Sequence, residues 1–258
     1  MKRENRYDAI VLGATFAAAG LAQALGSRCL VLEAAPTAGT EFLGALHFGD
    51  DYAAPLQSDA AKELREEFEQ RGAFSDGRIC LLDCAAPFYR RWQEKELLLN
   101  TAVAGIEKNA EGFAVLSHGA AGFRRWQAAC IIDTRAARQD IVCKTFNALI
   151  AGREGNAAPP QGISVQRWGY EGDWVLQCPV AADADPAAAR AVLEAQLEQL
   201  AQHRLLMIAE DFACTVSAAG PYLREGIVQL PSCAYRNPLL AFDAGVLYGE
   251  EVLRHAAL

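Results

Sequence analysis

Apolar runs and helical stripes divide the chain into elements before any chemistry is considered. Residues 9–12 form a continuous apolar run, residues 14–25 are alanine-rich and helical in character, and residues 29–32 form a second apolar run. With Gly13 between the first run and the helix, the order is strand, tight turn, helix, strand, which opens a parallel sheet. Residues 34–56 hold prolines and glycines with no clean period and read as a long loop. From Ser58 a cap is followed by Ala61, Leu64 and Phe68 on one face with charges opposite, up to Gly72, predicting a solvated covering helix. Residues 79–82 read as a short strand, and a helix from about Asp83 carries Phe88 and Trp92 on its apolar side, with Arg90, Arg91 and Lys95 solvated.

Downstream the period changes from helix to strand. Short strands are expected at 97–99, 103–107, 113–117 and 123–127, with a buried strand at 129–133, so an antiparallel meander is inserted into the parallel sheet. Residues 153–162 are loop by their Gly, Asn and Pro content, and the stretch 162–180 alternates like two paired strands with a turn at 170–173. An amphipathic helix follows, with Asp185 as cap, Pro186 in the first turn and a stripe of Val192, Leu193, Leu197 and Leu200. The last elements are a strand at 227–230, a loop at 231–237 and a long helix at 238–255 whose first turn is Pro238, Leu239, Leu240. The expected class is therefore α/β: a Rossmann-like parallel sheet with an antiparallel β-meander, residues 1–136 plus 213–258, and a smaller inserted α+β subdomain, residues 137–212.

Composition narrows this picture. A chain of 258 residues with 52% hydrophobic and 22% charged residues is a globular protein with a substantial core. A net charge of -8 argues against a nucleic-acid or anionic-membrane surface, which needs clustered Lys and Arg. The eight cysteines follow no apolar export segment, so reduced thiols and a cytoplasmic location are expected; no CxxC pair occurs, and four histidines do not assemble a metal site. The run 9–25 has the length of a short membrane span but contains the strand and turn signal, so no membrane helix is expected.

The chemistry concentrates at the first turn. A turn that brings backbone amides against a pyrophosphate, at the positive end of a helix, requires absent or very small side chains. Gly13 meets this requirement, and Glu33, twenty residues on, is where an acid takes a ribose hydroxyl pair. The other fingerprint glycines are replaced by Thr15 and Ala18, with Phe16 and Ala17 between them. A short-chain dehydrogenase would also open with Gly-Ala-Thr, but it needs a tyrosine followed by lysine four residues later, and none of the seven tyrosines has one.

With these pieces placed, the chain resembles the FAD-dependent oxidoreductases of glutathione-reductase-like fold, over three patches covering close to half of its length. The first is 7–44, with the loop 41–45 (Glu-Phe-Leu-Gly-Ala) similar to the loop that approaches the flavin; the second is 81–136; the third is the loop and helix from Leu230. The resemblance implies FAD as cofactor and a small organic substrate. It implies pyrophosphate and ribose contacts at Gly13, Thr15, Phe16, Ala17, Ala18, Glu33 and Ala34, a flavin-side approach at Gly44, and an adenine contact through the backbone of Val103. Thr134 ends the strand that closes the second patch, Ser232 stands where the family has a ribityl-binding aspartate, and the helix end at Pro238, Leu239 and Leu240 faces the isoalloxazine. Thr15 puts a branched side chain at the pyrophosphate, though its hydroxyl can donate to a phosphate oxygen.

Candidates for chemistry beside the ring are few. His47 is placed to polarise a substrate, Cys233 to act as a thiol partner and Arg236 to neutralise an acid; each also reads as an ordinary loop or buried residue. Trp168 and Trp174 either wall a pocket or fill the core of the inserted sheet. The expected activity is hydride transfer between a small organic substrate and flavin. The alternative is a degenerate flavoprotein-fold subunit that binds or assembles without catalysis, as a homo-oligomer or with a protein partner.

Overall fold

The computed structural model describes residues 5–75, 78–151, 164–167, 173–200, 204–218 and 220–256. The predicted loop at 153–162, most of the turn at 170–173 and Trp168 lie outside the described residues. The chain opens with β1 (Arg6–Leu12), α1 (Phe16–Leu25) and β2 (Cys29–Leu32), as the apolar pattern requires. One π-helical turn, Thr40–Gly44, interrupts the expected loop before α2 (Asp59–Gln70). Ser58 caps α2, accepting from Ala61 N at 3.2 Å, and Ala61, Leu64 and Phe68 are buried.

The strand expected at 79–82 is reduced to a two-residue pair, β3 (Phe74–Ser75) and β4 (Arg78–Ile79), and α3 (Leu81–Arg90) already includes Leu81 and Leu82. Helical spacing wins because Leu81, Cys84 and Phe88 then share one buried face. Arg91 is not solvated: with Arg90 it closes on Glu67, and its side chain is only 13% exposed.

The main sheet follows with β5 (Glu96–Leu98), β6 (Ala102–Asn109), β7 (Gly112–Gly119) and β8 (Gly122–Asp133). β5 leaves the expected meander and pairs parallel with β2 as an edge strand. The two strands expected at 123–127 and 129–133 are one. Its first half pairs antiparallel with β7 and its second half parallel with β1, and Ala128, 2% exposed, is the small residue that lets one strand face both. The meander β6, β7, β8 thus covers one side of the parallel strands. Alternation along β1 decides the layers: Ile10 and Leu12 pack with Val115 and Trp126 of the meander, while Ala9 and Val11 face α1.

The chain then builds a second sheet from β9 (Ile141–Ala151), β10 (Ser164–Arg167), β11 (Asp173–Pro179), β12 (Arg204–Ile208) and β13 (Ala213–Val216), in the order β10-β11-β9-β12 with β13 also on β9. Its last strand lies beyond residue 212, the edge expected from sequence. The helix α4 (Pro186–Leu197) is capped by Asp185 and buries Ala189, Leu193 and Leu197; Val192, expected in the stripe, is 42% exposed. The short hairpin β14 (Tyr222–Arg224) and β15 (Ile227–Gln229) returns the chain to the main sheet beside β8, and α5 (Pro238–Ala256) ends it. A β-carbon added to Gly20 of α1 would lie 2.1 Å from the Phe242 carbonyl oxygen, so α1 and α5 meet backbone to backbone. The alanines of α1 allow that approach, and it brings both amino ends to one region.

Candidate functional site

The turn after β1 is held from three sides. Gly13 has a φ of 91°, which favours glycine, and a β-carbon there would lie 2.6 Å from Arg135 Cγ and 3.1 Å from Thr134 Oγ1. Thr134, fully buried, donates its hydroxyl to the carbonyls of Leu12 (2.9 Å) and Gly13 (3.1 Å). Arg135 follows it, its stem over Gly13 and its guanidinium on Asp133 (Nε–Oδ1 2.9 Å, Nη2–Oδ2 2.8 Å). Glu33 is fixed opposite: Oε2 accepts from Ala14 N at 2.8 Å and Oε1 from Ala35 N at 2.7 Å.

The first turn of α1 is where sequence reasoning fell short. Phe16, Ala17 and Ala18 have fully buried side chains, so they offer a ligand only their amides. All three amides have partners within the chain. Thr15 is the N-cap, in extended backbone, and its Oγ1 accepts from Ala18 N at 3.1 Å; its oxygen serves the helix itself. Ala17 N donates to Ser232 Oγ at 3.3 Å, and Phe16 N to Glu41 Oε1 at 2.8 Å. Ser232 in turn donates to Glu41 Oε1 at 2.7 Å, while Glu41 Oε2 is buried with no partner. Glu41 therefore occupies the anion position of the helix end. The acid was visible in the loop 41–45, but a contact to Ser232 across 191 positions of sequence has no local signal.

Burial raises the Glu41 pKa to about 7, against the lowering effect of the bonds from Phe16 and Ser232; the nearby Glu33 charge adds to the rise. An acid shifted upward favours folding while protonated. Its contribution is complete below the ordinary value of 4.5 and is lost as pH climbs through about 7. Glu41→Gln keeps an acceptor for both donors, so its stability relative to wild type is expected to grow by up to about 3 kcal/mol from pH 4.5 to 7.5. Urea titrations at several pH values check this; parallel curves for the two proteins would remove Glu41 as the titrating group.

Two cavities adjoin at Cys233. One, of about 320 Å³, is lined by Thr15, Glu33, Glu41, Thr134 and Arg135 on the main-sheet side and by Lys144 and Phe212 on the other. The second, of about 250 Å³, is lined by His47, Asp50, Tyr235 and Arg236 with Gln177 and Thr215 of the second sheet. The three residues singled out for chemistry thus share one cavity, in states that limit them. Cys233 is buried and its thiol is pushed up to about 12 by burial, so it is not a thiolate at neutral pH. Arg236 is held by Asp50 (2.6 and 3.0 Å) and Asp51 (3.1 Å), which neutralise it, and its guanidinium holds the Asp50 carboxyl below the usual range. His47 stacks on Phe42 at 5.3 Å; burial lowers its pKa, and its Nδ1 is buried without a partner.

The remaining expected contacts are dispersed. At the amino end of α5, Pro238 has no N–H, Leu239 is fully buried, and the Leu240 amide donates to Asn237 Oδ1 at 2.9 Å. Asn237 also donates to the carbonyls of Asp50 (2.8 Å) and Asp51 (3.3 Å), tying α5 to the His47 loop. The Gly44 carbonyl accepts from Glu210 N at 2.7 Å, Ala34 is exposed, and Val103 lies on β6 away from both cavity linings.

No family model and no curated protein matches the sequence. Solved structures do. An anhydrotetracycline hydroxylase from Streptomyces rimosus superposes with a TM-score of 0.63 at 16% identity, covering 98% of this chain and 63% of the hydroxylase. A glycine oxidase from Geobacillus kaustophilus gives 0.60 at 14% identity, with 96% and 95% covered. An aklavinone-11 hydroxylase, in a ternary complex with FAD and aklavinone, gives 0.56 at 12% identity, with 100% and 63% covered. The chain has the fold of these hydroxylases and this oxidase. It spans less than two thirds of the two hydroxylases and nearly all of the oxidase. Among the described residues no cluster suited to a metal ion occurs, no disulfide links the eight cysteines, and no helix is long and apolar enough to cross a membrane.

Proposed function

We propose that this chain is an FAD-dependent oxidoreductase that moves a hydride between a small organic substrate and the flavin. The observation that carries this reading is Glu33, clamped by the Ala14 and Ala35 amides beside a glycine turn that tolerates no β-carbon, on the wall of the larger cavity. Glu33 is oriented to accept ribose hydroxyls, and Gly13 with Thr134 keeps the backbone close enough for a diphosphate. The fit is good at the nucleoside end; at the diphosphate end it requires Glu41 to give up its place. When bound, FAD supplies the hydride acceptor at N5.

The complex of FAD and aklavinone with one hydroxylase of this fold supports two adjoining sites, for cofactor and for organic substrate. The cavity of about 250 Å³ is the substrate site in this reading. There the neutral His47 offers Nδ1 to a substrate hydroxyl or amine, and Arg236 presents no uncompensated charge. Residues 1–136 with 213–258 form the cofactor domain and 137–212 the substrate subdomain, with β13 adding to the latter's sheet. A reducing cytoplasm suits eight unpaired thiols.

The purified protein is expected to be yellow and to release flavin absorbance on denaturation. FAD at a hundred times its Kd should stabilise the apoprotein by about 2.7 kcal/mol. Colourless protein that neither takes up FAD nor melts higher in its presence would rule this reading out. One observation favours the alternative of a non-catalytic subunit of flavoprotein fold: the first-turn amides of α1 already have partners inside the chain. That alternative predicts a persistent partner chain or homo-oligomer, and endogenous protein running at monomer mass in native mass spectrometry counts against it.

A further inference from the structure

The amino end of α1 is a ready anion site, and it already holds an acid of the chain's own. Phe16 N and the Ser232 hydroxyl converge on Glu41 Oε1, the Ser232 oxygen also takes Ala17 N, and Glu41 Oε2 is buried, unpartnered, on the wall of the cavity of about 320 Å³. A dinucleotide diphosphate seeks those same donors, and it cannot take them while the Glu41 carboxyl group holds them. We propose that Glu41 is an internal gate on the dinucleotide site, its carboxyl group seated on the diphosphate donors until the incoming ligand expels it toward water. This rests on the FAD reading above and goes beyond it, because it makes binding a displacement.

The displacement has a proton attached. Seated, Glu41 is held near pH 7 by burial; in water it returns to the ordinary carboxylate range, so expulsion below pH 7 releases a proton. Binding should therefore tighten by about 20-fold from pH 5.5 to 7.5 and level off above. Other charged groups face Glu41. Glu33 faces it from the end of β2, its own carboxylate held by two amides, and Cys233 from the loop before α5 is a neutral thiol. His47, from its own loop, interacts with the Glu41 backbone and has a lowered pKa. Across the cavity, Arg135 is held by Asp133, Lys144 donates to the Ala184 carbonyl, and Asp211 and Cys214 complete the wall.

Calorimetric titration of FAD into the apoprotein, in two buffers of different ionisation enthalpy, tests this. At pH 6.0 wild type should release close to one proton per FAD and Glu41→Gln none, with the pH dependence of affinity gone in the variant; Glu41→Ala should bind more tightly than wild type at pH 6.0. Binding by Glu41→Ala alone also supports the gate. Equal proton release from Glu41→Gln overturns it, assigning the proton to another group such as His47, and weaker binding by Glu41→Ala makes Glu41 a ligand-holding residue instead. FAD binding by all three proteins without proton exchange overturns the gate and leaves the FAD reading standing. Absence of binding by all three overturns both.

Discussion

Gly245→Ala is expected to lower stability by about 3 kcal/mol and the melting temperature by roughly 6–12 °C. Two effects oppose each other. Alanine in a helix interior is worth about 1 kcal/mol over glycine, which favours the variant. Against it, the new β-carbon would lie 2.0 Å from the Ala17 carbonyl oxygen and 2.8 Å from its carbon. Backbone cannot rotate aside as a side chain can, so α5 has to move off α1, and Gly20 against the Phe242 carbonyl fails with it. The packing term wins because the contact is shared along both helices, which also bury Phe242 and Val246. Function is coupled to this contact: Ala17 is in the turn whose amides meet Glu41 and Ser232, so the displacement should also weaken FAD uptake. Gly72→Ala is the control, since φ is 71° there but nothing lies within 4 Å, and only the backbone cost of about 1 kcal/mol applies. A Gly245→Ala protein that melts with wild type would show that the helices are not in backbone contact.

That contact also marks how far the sequence could be read. The first unit, 6–33, was legible because each of its determinants is local: apolar runs, a turn glycine, an alanine helix and an acid at fixed spacing. The meander and α4 were legible for the same reason. The sequence pattern divides β8 in two because Ala128 looks like a break in a strand pattern, while in the fold it pairs with Phe113 on one side and Tyr7 on the other. β5 reads as part of the meander because an apolar triplet does not declare its partner, which is β2. At the site, Glu33 carries a local signal in the sequence and Glu41 does not. The first acts on amides within one turn of its own motif and the second on a serine far along the chain. In sequence Thr15 reads as a branched side chain whose hydroxyl can donate to phosphate, and a threonine before a helix is equally a cap, which is the role it has. Asn237 has a local signal of the same kind: its place before Pro238 is a capping signature, and its Oδ1 takes the Leu240 amide.

Asp243→Ala is expected to cost about 4 kcal/mol, the larger of the two effects, because it orphans a set of donors instead of removing one contact. Asp243 sits on α5, 4% exposed, and its carboxylate accepts from Gln57 N (2.8 Å), Ser58 N (2.8 Å) and the Ser58 hydroxyl (2.6 Å). These donors stand at the amino end of α2, where the helix dipole also favours a negative charge, so a buried acid is stabilised without a cation. Alanine leaves two amides and a hydroxyl facing apolar surroundings. Asn is a partial remedy, since its oxygen can serve Ser58 while its NH₂ meets the Gln57 amide donor to donor, so Asp243→Asn should fall between alanine and wild type. Ser58→Ala removes one donor and the α2 cap together, and combined with Asp243→Ala it should cost less than the two singly, because the shared bond is lost only once. Guanidinium titrations of the four proteins give the cycle. Strict additivity, or a loss under 1 kcal/mol for Asp243→Ala, would mean that α2 is not anchored through this carboxylate. Anchoring matters to the site because the same helix that carries Asp243 is capped by Asn237, which holds the Asp50 and Asp51 carbonyls beside the His47 cavity.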